Sequence, residues 1–160
     1  MRKYVLFLLV VPFLCGFTKD IYLFKYTCSC QGRGQGGSKQ LLITTWCGKK
    51  GDLPESAKRD ALHALIFNGV KLGNGECPKN PIIPNSSESD PKHKEFFDRF
   101  FFTPSEYDRF ILAPPSPTSP GIMKVKEGGH KGTYIITVDY DKLVDYLEQN
   151  NIIKKLSNKI

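Results

Sequence analysis

The chain has 160 residues, 40% of them hydrophobic, with a formal net charge of +7, which supplies one core and excludes two comfortable domains. The basic residues are scattered, and Lys49-Lys50, Lys58-Arg59 and Lys154-Lys155 each stand close to acidic neighbours. The charge therefore reads as a solvated surface, not as the clustered stripe that nucleic acid requires, with weak attraction to anionic envelope polymers or head groups left open.

Met1-Arg2-Lys3 is a positive flank, and Tyr4 to Leu14 is an apolar run relieved only by Pro12. That is the pattern of a signal peptide. It is too short for a permanent span, which needs about 20 apolar residues. Cleavage after Gly16 or Thr18 assigns residues 1–18 to the signal and leaves about 142 residues, 19–160, as one α+β domain. Cys15 directly follows the apolar run and raises a second outcome, acylation and a lipid anchor, although Phe13 and Leu14 are bulkier than such a site prefers. No later run reaches spanning length, so the mature chain is expected to lack a transmembrane helix.

Ile21 to Gln31 alternates, with Tyr22, Phe24, Tyr26, Cys28 and Cys30 on one side, and predicts a strand. Gln40 to Cys47 predicts a second, and Gly32 to Gly37 between them has the composition of a loose hairpin turn. A phosphate loop would lead from a strand into a helix, so the turn reading is preferred. Four cysteines remain in the mature chain: Cys28, Cys30, Cys47 and Cys77. An oxidising compartment allows disulfides among them in three pairings, and buried free thiols remain the other outcome. Cys28-Ser29-Cys30 places both thiols on one strand face. His63, His93 and His130 are isolated, so neither a metal site nor a cofactor site is assigned.

Asp52-Leu53-Pro54-Glu55 has the form of a capping box and predicts a helix to about Asn68, stopped by Gly69. Ala57, Ala61 and Ala64 give it a small-residue face suited to close packing on a sheet, and His63 is expected at the surface or partly buried. Residues 71–92, broken by Gly73, Gly75, Pro78, Pro81, Pro84 and Pro91, form a long irregular loop that Ile82 and Ile83 pin to the body. Phe96/Phe100 and Phe97/Phe101 are i,i+4 pairs and predict a short helix over 92–101. Thr103-Pro104-Ser105-Glu106 is a second capping box, opening a helix with Tyr107, Phe110 and Ile111 on one stripe. The aromatic density is expected to serve core packing in preference to a ligand patch. Pro114 to Pro120 is an extended proline-serine run. Gly121 to Val125 and Thr133 to Val138 predict two more strands around a turn at 127–132, and Asp139 or Asp141 caps a last helix. The order β-β-α-α-α-β-β-α argues an antiparallel sheet of about four strands, in two hairpins, with helices on one face.

Gly69-Val70, the segment from His93 to Phe101 and the ending from Tyr140 to Lys155 resemble a family of small, uncharacterised exported proteins of Bacteroidetes. A fainter similarity joins Cys28 to Gly69 with the small lipoprotein domain of Lpp-type and flagellar-assembly envelope proteins. The resemblances imply an envelope location and a fold, and no activity. The expectation is an exported cell-envelope protein, a non-catalytic binding or structural module for an envelope protein or glycan and not an enzyme. The alternative is a small hydrolase that uses a thiol, Cys47 or Cys77 with one of the histidines, although no G-x-S-x-G, H-E-x-x-H or C-x-x-C is present.

Overall fold

The computed structural model describes residues 23–84 and 91–154; residues 1–18, the expected signal peptide, with Cys15 among them, and Ile21-Tyr22 lie outside them. Alternation of polar and apolar residues builds β1 (Tyr26–Arg33) and β2 (Lys39–Cys47), which pair antiparallel from Tyr26 opposite Thr45 to Arg33 opposite Lys39. The first strand starts five residues later than the alternation predicts from Ile21. Residues 23 and 24 turn instead, with Phe24 at a φ of 55°, and the Phe24 ring stacks on His63 at 4.0 Å between centroids. The glycine-rich segment is the hairpin turn, a single 3₁₀ turn over Gln35–Gly37 closed by Gly34 N–H donating to the Ser38 carbonyl at 3.0 Å.

α1 (Leu53–His63) continues as a π-helical turn, Ala64–Asn68, and Gly69 ends it at a φ of 68°. Ala57, Ala61 and Ala64 are fully buried, as the small-residue face requires for close approach to the sheet. The expected capping boxes do not form: neither Asp52 nor Thr103 makes a side-chain capping bond. A 3₁₀ turn, Lys50–Asp52, leads straight into α1, and Glu55 is half-buried. Its carboxylate accepts from Lys58 at 2.7 Å and from the Tyr107 hydroxyl at 2.9 Å. Burial alone raises the Glu55 carboxyl, but these bonds outweigh it and bring it below its ordinary value.

α2 (Pro91–Phe102) and the short α3 (Pro104–Tyr107), extended by a 3₁₀ turn over Asp108–Phe110, carry the aromatic cluster. Phe96, Phe97, Phe100, Phe101 and Phe110 are buried and contact one another edge-on, tilted or, for the i,i+4 pairs, stacked, so these rings form core. The proline-serine run contains β3 (Ser116–Pro117), a two-residue strand that sequence patterning does not predict. β4 (Met123–Lys124) is shorter than the expected Gly121–Val125, and β5 (His130–Val138) begins earlier than Thr133, so the turn is smaller than 127–132. α4 (Tyr140–Gln149) is capped by Asp139, whose side chain accepts from Lys142 N–H at 3.2 Å.

The fold is α+β: a five-stranded antiparallel sheet in the order β1-β2-β5-β3, with β4 also on β5. One face carries buried Leu41, Ile43, Tyr134, Ile136 and Val138 under the helices. The opposite face carries half-buried Leu42, Thr44, Trp46, Thr133 and Ile135, with the Thr44 and Thr133 hydroxyls 2.8 Å apart. Among the described residues, no helix is long and apolar enough to cross a membrane.

Candidate functional site

Cys30 and Cys77 form a disulfide, while Cys28 and Cys47 are free thiols. Cys77, one of the two candidate nucleophiles of a thiol enzyme, is thus consumed in a cross-link. Cys47 lies opposite His130 in the β2–β5 register, so the fold makes this thiol and this imidazole neighbours. Its side chain is only 3% exposed, which denies a substrate access. Cys28 is half-buried, and burial first, then the charge of Asp60, push its thiol up to about 12. An activated thiol needs the opposite environment.

His63 departs from sequence expectation. It sits with Asp60 on the buried face of α1, where the sequence places the histidine at the surface or partly buried. Thr45 on β2 donates to Asp60 Oδ2 at 2.5 Å. The Tyr26 hydroxyl lies 2.8 Å from His63 Nδ1 and accepts from Asn68 at 2.6 Å. Spacing offered a signal, since Ser56, Asp60, His63 and Phe67 recur at steps of four, three and four and form one stripe. A small aromatic hollow of about 180 Å³ opens beside His63, between Phe24, Phe67, Phe97 and Phe101.

A larger concavity lies where the irregular loop meets the last helix. After Gly69 the chain folds back along α1, and the helix's last carbonyls receive the loop's amides. Ile82 N–H donates to Leu65 at 3.1 Å and Ile83 N–H to Ile66 at 2.8 Å. Val70 N–H donates to the Pro78 carbonyl at 2.8 Å, and the disulfide fixes Cys77 to β1. Two glycines permit this closeness: a Cβ on Gly69 would lie 2.2 Å from the Lys79 carbonyl oxygen, and one on Gly73 would lie 2.1 Å from that of Cys30. The second wall is Tyr140 and Val144 of α4 with Ile152 and Ile153 of the turn after it, held by Ile152 N–H on the Leu147 carbonyl at 2.9 Å.

The groove between these walls has a volume of about 720 Å³, within the usual range for ligand sites. Its lining is mainly proline and isoleucine, and among the described residues the two charged ones that line it are both cations, Lys79 and Lys154. The Tyr140 hydroxyl makes no hydrogen bond to a described residue, and burial, then Asp141, raise its pKa, keeping it a donor. Behind the ring, Lys39 is 94% buried, with its ammonium 5.9 Å from the Tyr140 centroid and 3.3 Å from the Glu76 carbonyl. Sequence reading missed the groove because its walls lie some sixty residues apart; only the need to pin Ile82 and Ile83 hinted at it. Among the described residues, no group of three or more His, Cys, Asp and Glu side chains is placed to hold a metal ion.

The chain matches no family model, no curated protein and no solved structure.

Proposed function

We propose that this chain is an exported cell-envelope protein that acts by binding, with the groove between residues 78–84 and α4 as its ligand site. The observation that carries the reading is the groove's construction. A loop that has no secondary structure of its own is held by a disulfide, two glycine contacts and three backbone bonds, and so presents a fixed apolar wall. Among the described residues, no thiol, histidine or carboxylate lines that wall, which supports recognition over turnover. The disulfide and the resemblance to small exported proteins support an oxidising compartment.

A photo-reactive phenylalanine derivative placed at Ile82 or Ile153 in cells tests this reading, with Phe102, an exposed residue of α2, as the control position. Adducts to an envelope component from the two groove positions and none from Phe102 are expected. Equal labelling at all three positions, or none in the groove, would contradict it.

A further inference from the structure

We infer that the groove takes the alkyl chain of a fatty acid, with the carboxylate at its lysine-bearing rim; this rests on the reading of the groove as the ligand site. Three features of the walls select that chemistry. The first is charge: Lys79 and Lys154 are exposed and both positive, and among the described residues no carboxylate lines the groove to oppose an anion.

The second is the state of the backbone donors. A bound peptide must satisfy its own carbonyls, and edge or groove recognition of peptides supplies main-chain N–H groups for them. Pro78, Pro81 and Pro84 have no N–H, and the amides of Ile82 and Ile83 already donate inward to α1. Five of the seven residues from 78 to 84 thus offer a partner no main-chain donor. An alkyl chain asks for none, and each buried methylene contributes about 0.8 kcal/mol. A glycan, dense in hydroxyls, would leave most of them unpaired against this wall.

The third is Tyr140, a residue of the groove lining whose hydroxyl makes no hydrogen bond to a described residue. With Asn80 and the two lysines it is one of a few polar groups in a lining made mainly of proline and isoleucine, as expected where a single anionic head must be oriented.

The test uses the oxidised mature protein and cis-parinaric acid, whose fluorescence reports transfer from water to an apolar site. Saturable one-to-one binding is expected, with displacement by dodecanoate and about tenfold weaker displacement by dodecanol, which keeps the chain and loses the charge. Reversing both rim charges, Lys79→Glu with Lys154→Glu, is expected to weaken the acid by about tenfold and leave the alcohol unaffected. Val144→Trp should abolish binding by filling the groove, with an unchanged circular dichroism spectrum. Because both lysines are exposed, the double variant keeps the inference testable if Val144→Trp fails to fold. Equal affinity for acid and alcohol, indifference to the rim charges, or association only with phosphatidylglycerol vesicles would overturn the inference. Absence of fatty-acid binding together with protein adducts from Ile82 and Ile153 would overturn it while leaving the binding reading intact; absence of both would overturn the two together.

Discussion

The Cys28 thiol on β1 faces the Asp60 carboxylate of α1, and both its burial and that charge favour the protonated form. Its pKa rises from 9.0 to about 12 on folding. Below pH 9 both folded and unfolded chains hold the proton, and the group adds no pH dependence. Above it, the unfolded chain loses the proton first, so stability falls by up to about 1.4 kcal/mol for each pH unit until the folded pKa is reached. Urea unfolding at pH 8 and pH 10 is expected to show the wild type losing about 1 kcal/mol more than Cys28→Ala over that interval. Parallel losses in the two proteins would mean that the thiol is not held in this environment. The sequence placed Cys28 on the correct strand face through simple alternation. It did not reveal Asp60, because a carboxylate on a buried helix face is stable only through partners such as Thr45, fifteen residues away.

At the scale of elements, periodicity located the main strands and helices because the residues that define them are local. Leu41, Ile43, Thr45 and Cys47 alternate into the core, and Ala57, Ala61 and Ala64 repeat at helical spacing. Replacing Ala61 by Leu is expected to destabilise the fold by about 1 to 3 kcal/mol, because the added atoms meet the sheet where no space remains. Chemical denaturation measures this, and an unchanged midpoint would show that Ala61 does not face the sheet. The capping motifs misled for a tertiary reason. Glu55 has the spacing to reach back toward Asp52, yet Tyr107 and Lys58 capture its carboxylate, and the Tyr107 partner lies 52 residues away. β3 escaped detection because its two residues, one of them proline, owe their extended pairing to the neighbouring β5 and not to any alternation of their own.

For the whole molecule, the central feature is a loop made into a wall. Length and proline content identified residues 71–92 as irregular, but only the folded chain shows the stretch to Pro84 laid along the end of α1 and tied to β1 by Cys77. The Cys30–Cys77 link joins residues 47 apart in sequence, a separation for which chain-entropy reasoning gives about 4 kcal/mol of stabilisation. Disulfides persist chiefly where thiols are oxidised, so the link supports the proposed export. The most direct test is a peptide map of the protein isolated from its native cells, with free thiols alkylated before digestion and no reductant. The account predicts an amino terminus between Phe17 and Lys19, an unacylated chain, Cys30 linked to Cys77, and alkylated Cys28 and Cys47. A chain that retains Met1 and carries alkylated Cys30 and Cys77 would contradict it, as would a different cysteine pairing, and a lipid-modified Cys15 would replace the free mature protein with a membrane-anchored one.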